Sequence, residues 1–211
     1  MINHYTVNME NPKSWDEYFY NMCKVVASNS KCLSRKIGAL IVKDKTTVIS
    51  TGSNGPPRGV QQCDKRWLNE KRIREYAIEK SVKHSGNDGI SSFQYITKDS
   101  PFYKDNLEGK CPRYVPEMGF KSGQGLEWCV AGHAERNAIV NAARLGVTAL
   151  LGTSIYMTCG VPCTPCMVEI INAGIQEIVC TSLDAHYDVS AQYLLDESNI
   201  KIRLYDFLQG E

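Results

Sequence analysis

Two short stretches, His133-Ala134-Glu135 and Pro162-Cys163-Thr164-Pro165-Cys166, decide how the second half of this chain folds. The first opens an alanine-rich run, 134–145, which ends at a glycine and predicts a helix with a glycine cap. The second opens the run 163–172, which predicts another helix, because the first helical turn tolerates proline. Residues 154–158 lie between the two and predict a strand. Helix, strand and helix in alternation indicate an α/β layered fold.

The elements around this central unit continue the alternation. A nearly continuous apolar run, 37–42, predicts a strand covered on both faces, and 47–51 predicts its return strand. Strands over 175–180 and 200–205, with a helix over 191–197 between them, follow the cysteine motif. Together these elements predict a mixed, five-stranded and partly parallel sheet.

An amphipathic helix is predicted over residues 15–28. Ser14 is its predicted N-cap, and Glu17, three residues later, would complete a capping box. The predicted apolar face of this helix consists of Trp15, Phe19, Met22 and Val26.

Residues of about 62–128 differ in character from the rest and are interpreted as an insertion in a single domain, 1–211. Within it, 65–84 is highly charged and predicts a surface helix, whereas 85–125 is rich in glycine, proline, serine and tyrosine. The apolar content of this region is too thin for a core of its own, which argues against a second domain. The stretch 52–59 just before it is made of turn formers and predicts a loop.

Composition restricts the compartment and the partners. The net charge of +1 gives no general attraction for nucleic acid or for an anionic membrane. No apolar run reaches the roughly 20 residues of a membrane helix, and the polar residues 1–10 lack a signal-peptide core. We therefore expect a cytoplasmic protein. Its nine cysteines, an odd number, then favour thiolate chemistry or metal binding over a disulfide framework.

The two opening stretches supply one imidazole, two thiols and a carboxylate. Zinc prefers tetrahedral nitrogen and sulfur ligands, and a catalytic site leaves one position to water. His133, Cys163 and Cys166 are therefore predicted to bind zinc, with both sulfurs at a helix start that favours thiolates. Glu135 lies two positions from His133, so its side chain points elsewhere and can act as general acid and base on a zinc-activated water. H-x-E followed by P-C-x-x-C is the pattern of zinc nucleobase deaminases.

A structural zinc site is the competing interpretation of the same cysteines. Cys159 would then be the fourth ligand and would close the coordination sphere. The presence of both halves of the motif, each opening a helix, favours the catalytic site. Cys23 and Cys180 lie among apolar residues and are predicted to be buried thiols.

Beyond the metal motif, the chain resembles the deoxycytidylate (dCMP) deaminase family, especially its phage and bacterial members. The resemblance covers about 14–60 and 122–205, and its order and spacing are more specific than the zinc ligands alone. The segments that carry it are 14–19, 30–39, 52–59, 133–139 and 162–166.

This resemblance implies hydrolysis of dCMP to dUMP and ammonia, which supplies dUMP for thymidylate synthesis. It implies a three-layer α/β/α cytidine-deaminase fold and a homohexamer. It further implies activation by dCTP and inhibition by dTTP at a Mg²⁺-dependent nucleotide site. For a viral member, the expected location is the host cytoplasm.

The resemblance also assigns substrate contacts. Asn54 would hydrogen-bond the deoxyribose, and Ser34 and Lys36 would hold the 5′-phosphate. The backbone N–H of Ala134 would face the pyrimidine carbonyl. An amide offers a donor and an acceptor to a sugar hydroxyl, and a lysine beside a hydroxyl suits a monophosphate. The competing interpretations are a turn residue of unusual φ for Asn54 and a solvated basic turn for 34–36.

Three further positions, Ser53, Arg58 and Arg144, are assigned to effector binding or subunit contacts. The family usually has tyrosine where this chain has Ser53, and the loss of that ring would alter nucleotide stacking. Arg144 matches a family arginine associated with subunit contacts and effector response. Its alternative role is a favourable charge at a helix C-terminus.

A second, structural zinc site is predicted in or beside the insertion. Four ligands would close a tetrahedral site that pins the long loop, and the alternative is a set of scattered free thiols. The candidate ligands are Cys32, Cys63, Cys111, Cys129 and His84.

Other activities are compatible with the zinc motif. The same residues could deaminate dCTP or CMP, or a base in single-stranded nucleic acid, although glutamates interrupt the basic stretch 65–83 that the last substrate would need. A non-enzymatic, zinc-stabilised nucleotide sensor would need neither Glu135 nor an open coordination position. Free dCMP, without nucleic acid or membrane partners, is therefore the leading substrate hypothesis.

Overall fold

The computed structural model describes residues 12–85, 96–114, 120, 124–147, 149–184 and 188–209, without the side chains of 80–85 and 114. None of the helices in these residues is both long and apolar enough to cross a membrane. The helices are α1 (Trp15–Ser28), α2 (Cys63–Asn69), α3 (Lys71–Ser85), α4 (Ala134–Arg144), α5 (Thr164–Asn172) and α6 (Val189–Glu197). The strands are β1 (Gly38–Lys43), β2 (Thr47–Ser53), β3 (Ser154–Met157), β4 (Glu177–Cys180) and β5 (Lys201–Leu204). Short helical turns cover Tyr103–Leu107, Pro112–Tyr114, Leu126–Trp128 and Asp206–Leu208.

The strands form one mixed sheet in the order β2-β1-β3-β4-β5. β1 is antiparallel to both β2 and β3, whereas β3, β4 and β5 run parallel. α5 connects β3 to β4 and α6 connects β4 to β5, because parallel neighbours need a crossover. The predicted mixed five-stranded sheet is confirmed.

Helices cover both faces of the sheet and produce three layers. On one face, Phe19 and Cys23 of α1 pack with Leu40 of β1 and with Tyr205. Leu40 and its neighbour Ile41 are fully buried in different core clusters, which confirms that β1 is covered on both faces. The second face packs the helix residues Ala134, Ala138, Ala142, Met167 and Ile170 against the strand residues Ile41, Ile155 and Ile178.

Helix α4 approaches β2 closely because Gly52 has no side chain. A Cβ at Gly52 would lie 2.2 Å from the Ala134 carbonyl oxygen and 2.3 Å from the Ala138 nitrogen. From the strand, the Ser50 hydroxyl donates a hydrogen bond to the Ala138 carbonyl at 2.6 Å. Small residues on both elements therefore fix the first turn of α4 against the sheet.

The N-cap of α1 is confirmed, but the predicted buried face is wrong at its first member. Ser14 Oγ accepts a hydrogen bond from the Glu17 N–H at 3.1 Å, whereas the Glu17 carboxylate bonds the Lys13 N–H and not that of Ser14. Trp15 is 54% exposed. Asp16 is buried instead, because its carboxylate pairs with an arginine of β5. The buried residues of the helix are Asp16, Phe19, Cys23 and Ala27.

The second strand is longer than predicted. β2 continues to Ser53, so Gly52 and Ser53 belong to the strand and not to the loop. Both residues pair with the start of β1. Ladder hydrogen bonds override the turn preference of a Gly-Ser pair here, and the loop begins at Asn54.

The insertion contains a small core, which corrects two predictions. Residues 65–84 belong to two helices, α2 and α3, and not to one surface helix. Their apolar residues join others from 96–107, so a core forms from side chains that lie far apart in the sequence. Parts of the predicted stretch 85–125 lie outside the described residues, and the single domain, 1–211, stays a prediction. The buried cluster consists of Trp67, Ile73, Ala77, Ile96, Tyr103 and Leu107.

Candidate active site

Two helix starts bring the predicted zinc ligands together. His133 immediately precedes α4, Cys163 immediately precedes α5, and Cys166 lies in the first turn of α5. His133 Nδ1 is 3.4 Å from Cys163 Sγ and 3.3 Å from Cys166 Sγ. Tetrahedral zinc bonds require nitrogen and sulfur ligands to lie roughly 3.6 Å apart. The three side chains therefore fit a zinc ion with little adjustment.

The group lies at the carboxyl end of β3, in keeping with the general position of sites in open α/β sheets. A cleft of about 590 Å³ opens at the opposite end of the strands, beside Thr153, Glu177 and Lys201, and contains none of the three ligands. We place the chemistry at the ligand group, because, within the described part of the chain, no cleft residue belongs to a cluster of metal-ligating side chains.

The coordination set has three protein members among the described residues. His133, Cys163 and Cys166 are the members of the described chain whose ligand atoms lie within 4.8 Å of one another, and Cys159 is not among them. Cys159 is a thiol whose pKa lies well above its usual value, chiefly because of burial and then because of the nearby Glu135 charge. The competing closed site with Cys159 as fourth ligand is therefore not supported.

Electrostatics at the three ligands favours a bound cation. A hydrogen bond from the Cys166 thiol, followed by one from His133, lowers the pKa of Cys163 to about 4. The bond to Cys163 raises the pKa of His133 and also that of Cys166. The two sulfurs and the imidazole thus share protons around a thiolate, in the positions where a divalent cation would replace those protons.

Glu135 is buried beside the ligands without joining them. It is the second residue of α4, is only 4% exposed, and is absent from the group of metal-ligating atoms. Burial is the main cause that raises its pKa, and the Cys163 charge adds to the increase. A raised pKa makes the carboxylate a better proton acceptor and suits a group that must both accept and release a proton.

Asn54 lies next to the ligand group but binds the protein itself. The loop after β2 is fixed beside His133 by two backbone hydrogen bonds between Gly55 and Gly132, at 3.1 and 2.9 Å. Asn54 Oδ1 accepts from Ser30 Oγ at 2.7 Å and from the Ile37 N–H at 2.8 Å.

The amide nitrogen of Asn54 donates to the Arg35 carbonyl at 2.8 Å, so one amide hydrogen is left for a ligand. Asn54 is not among the described residues with positive φ, so the interpretation as a turn residue of unusual φ is wrong. The sequence did not reveal that Asn54 organises the loop 30–37.

The predicted phosphate residues lie in that same loop. Ser34 is half-buried and Lys36 is exposed. Arg35, between them, was not among the predicted contacts, but its charge acts on the half-buried Cys159, where it opposes the rise in pKa that desolvation causes. Its position in a basic run was the signal that could have identified it. Ala134, the predicted carbonyl contact, occupies the first position of α4, where an N–H has no intrahelical acceptor.

The residues assigned to effector binding meet on one face of α4. Asn141 Oδ1 accepts from Arg58 Nη2 at 3.1 Å and from Arg144 Nη1 at 3.4 Å. The Ser53 carbonyl accepts from the Asn137 amide at 2.8 Å. The two asparagines, four residues apart, were not predicted, although that spacing places them on one helix face.

Four cysteines of the predicted second site lie near one another. Burial raises the pKa of Cys63, and the charges of Cys111 and then Cys129 raise it further. Burial also raises the pKa of Cys111, and Cys129 and Cys32 add to that rise. The side chain of His84, the fifth candidate, lies outside the described residues.

Comparison with known proteins identifies the family. The model of the cytidine and deoxycytidylate deaminase zinc-binding region matches residues 13–182. A deoxycytidylate deaminase of Enterobacteria phage T2 is 34% identical over 165 residues, which cover 76% of each chain. One from Schizosaccharomyces pombe is 28% identical over 196 residues, 91% of this chain and 44% of that protein. The chain thus spans less than half the length of the fission yeast relative.

Solved structures support the same fold. The dCMP deaminase from cyanophage S-TIM5, in complex with dCMP and dUMP, has a TM-score of 0.51 and 17% identity, over 93% of this chain and 99% of that one. Its apo form has a TM-score of 0.50 and 16% identity, over 90% of this chain and 95% of that one. With the sheet order, the ligand triad and the family model in agreement, the chain belongs to the cytidine and deoxycytidylate deaminase family of zinc proteins.

Proposed function

We propose that this protein hydrolyses dCMP to dUMP and ammonia and so supplies dUMP for thymidylate synthesis. The observation that carries the proposal is the open group of His133, Cys163 and Cys166 with the buried Glu135 beside it. The names of the phage T2 and fission yeast relatives support dCMP as the substrate.

The reaction replaces the C4 amine of cytosine with the oxygen of a water molecule. Zinc held by the three ligands would supply a water of lowered pKa. Glu135 accepts a proton from the attacking water and delivers it to N3. It then transfers the second proton of that water to the amine, which leaves as ammonia. The buried carboxyl group suits both steps, because a raised pKa makes its carboxylate a stronger base towards the attacking water, and the protonated form that results then donates to N3 and the amine.

Substrate contacts follow from the loops around the ligands. The Ala134 N–H, at the start of α4, faces the pyrimidine carbonyl. The remaining amide hydrogen of Asn54 is directed to the deoxyribose, while its other bonds hold the loop 30–37. Ser34 and Lys36 bind the 5′-phosphate, and we add Arg35, which lies between them in the chain and whose charge, like that of Glu135, acts on Cys159.

A substrate panel tests the proposal. Purified protein is incubated with dCMP, CMP, dCTP and a single-stranded oligonucleotide, and loss of the cytosine absorbance is followed. Turnover of dCMP above all others supports the proposal. Preference for dCTP or CMP would identify the alternative free nucleotide, and activity on the oligonucleotide alone would overturn the proposal.

A non-enzymatic nucleotide sensor is the alternative of a different class. It would bind nucleotides and zinc but release no ammonia from any member of the panel. The buried Glu135 beside an open ligand group favours the enzyme, because a sensor has no use for a proton-transfer group there.

We further propose regulation of a homohexamer by dCTP and dTTP, with Mg²⁺ bound to the effector nucleotide. Arg58 and Arg144 converge on Asn141 and would present two positive charges to an effector phosphate or a neighbouring subunit. Ser53 lies at the end of β2 on the same side. Turnover with each effector, with and without Mg²⁺, and the mass of the oligomer in solution test this part.

We also propose a second zinc ion, bound by Cys32, Cys63, Cys111 and Cys129. Beyond the effect of burial, the charges of Cys111 and Cys129 raise the pKa of Cys63, and those of Cys129 and Cys32 raise the pKa of Cys111, which supports a convergence of the four thiols. Zinc would tie the insertion to the loop before β1. Metal analysis tests the site: two zinc ions per chain are expected, and one would refute it. Host cytoplasm is the proposed location, by analogy with the phage relatives.

A further inference from the structure

The start of α5 is held by a carboxylate from another element. Asp188 Oδ2 accepts a hydrogen bond from the Thr164 N–H at 2.6 Å, and Asp188 Oδ1 accepts one from the Thr164 hydroxyl. Thr164 lies between Cys163 and Cys166. Asp188 also caps α6, because the same Oδ1 accepts from the Ala191 N–H at 3.2 Å. One carboxylate therefore joins the starts of two helices.

The hydrogen-bond donors in the first turn of α5 divide between a zinc ligand and Asp188. Pro165 has no N–H, so Thr164 and Cys166 carry the donors of this turn. The Cys166 N–H bonds the Cys163 sulfur and favours its thiolate. The Thr164 N–H bonds Asp188 instead. Both donors therefore act to fix the position of the cysteine pair.

We propose that Asp188 is a positioning residue for the zinc site, which holds Cys163 and Cys166 at their metal-binding separation through its two bonds to Thr164. The proposal rests on the zinc site proposed above. Asp188 is not itself one of the ligand group. Groups that orient metal ligands in this way typically change metal affinity by about 10- to 100-fold when they are removed.

Two substitutions separate this role from the capping of α6. Serine is a good N-cap, but its hydroxyl is too short to reach Thr164, so D188S keeps the cap and loses the bridge. Asparagine can keep an oxygen against the Thr164 N–H while its amide N–H faces the Thr164 hydroxyl, so D188N keeps the bridge and loses the cap, because that amide replaces the oxygen that accepts from the Ala191 N–H. We expect D188S to weaken zinc binding roughly 10- to 100-fold and D188N to remain within about threefold of the unsubstituted protein.

Zinc affinity is measured on the full chain by competition with a chromophoric chelator. The sulfur-to-metal absorption of the Co²⁺-substituted protein reports the ligand geometry. Ser14→Ala is the matched control, because it removes the cap of α1 away from the site and should lower the melting temperature without changing zinc affinity. If D188S bound zinc as tightly as the unsubstituted protein, or if D188N lost as much affinity as D188S, the proposal would be wrong.

Failure of this proposal is distinguishable from failure of the zinc site. The equivalent of zinc that Cys163→Ser removes defines the site. If that substitution removes none, the zinc site and the role of Asp188 are both wrong. If it removes one, and D188S changes neither the affinity nor the Co²⁺ absorption, only the role of Asp188 is wrong.

Discussion

The chain contains two groups of cysteines that are built in different ways. Cys163 and Cys166 come from one helix start and meet His133 at another, with ligand atoms within 4.8 Å of one another. The four cysteines beside the insertion come from four separate segments, and in the described residues they form no group as close as the first. Two helix starts at the carboxyl end of β3 therefore set the geometry of the first group, whereas long-range packing of separate segments sets that of the second.

This difference has an energetic consequence. The first group is supported by the core under α4 and α5, to which both helices contribute fully buried residues. The second group lies beside the small cluster around Trp67. This cluster contains fewer buried residues than the core under α4 and α5. We therefore expect the second group to depend more on its own metal for order than the first.

The largest expected effect is the loss of catalytic activity, which should follow a substitution in the first group of cysteines but not one in the second. Cys166→Ser should remove the zinc held by His133 and reduce dCMP turnover to background, because serine is a poor zinc ligand. Cys111→Ser should retain that zinc and lower thermal stability instead. Zinc analysis of dialysed protein and the deamination assay measure both. Loss of all activity in C111S would show that the two groups are not independent.

The next largest effect tests the role of Glu135, which lies beside the first group without belonging to it. Glu135→Gln should reduce turnover by about 10²- to 10⁴-fold, because it removes the group that transfers protons. The zinc content should be unchanged, since Glu135 is not a ligand. Glu127→Gln, at an exposed glutamate in the preceding segment, is the control. A loss of zinc in E135Q would contradict the assigned role.

A smaller effect concerns the loop that connects the first group to the substrate. Asn54→Ala removes three hydrogen bonds and should lower the free energy of unfolding by about 2–4 kcal/mol, as buried partners lose their bonds. Denaturant unfolding measures the change. Asn106→Ala, at an exposed amide with one bond, should have little effect. Unchanged stability together with a raised KM for dCMP would mean that Asn54 serves mainly as a sugar contact.

The smallest effect tests whether α4 and α5 are aligned by their contact with each other or by their packing on the sheet. Arg136 of α4 pairs with Glu169 of α5 at 2.8 Å, with side chains 46% and 35% exposed. Arg136→Ala should cost less than about 1 kcal/mol, because solvent screens an exposed pair. Thermal unfolding at low and high salt measures the loss. A cost well above that value, insensitive to salt, would show that the ion pair and not the sheet aligns the helices.

The local sequence pattern was sufficient to predict the residues that lie in regular helices and strands. The apolar run before Lys43 predicted a strand covered on both faces, and the structure confirms it. The glycine after α4 and the prolines before Cys166 predicted where those helices end and begin. Hydrophobic period alone was less reliable for α1, because the paired Asp16 takes a buried position that periodicity assigns to an apolar residue.

The local sequence pattern could not predict contacts in which residues from distant segments bury one another. Trp67 and Leu107 meet in the insertion core although they are far apart in sequence, so the region appeared too poor in apolar residues. Asn54 was predicted from the family to face the substrate, and its bonds to Ser30 and Ile37 became visible only with the loop in place. The same holds for Asp188 and Thr164, since no spacing rule connects them.

The sequence by itself determined the α/β architecture, the ligands His133, Cys163 and Cys166, and the separate position of Glu135. These follow from residue type and helical spacing, which act over a few neighbouring residues. Only the tertiary structure decided which loops surround the ligands, that Cys159 is not in the ligand group, and that Asp188 bonds Thr164 between the two cysteines. Those outcomes depend on contacts between segments that are remote in the chain, and only the packing of helices on the sheet brings them together.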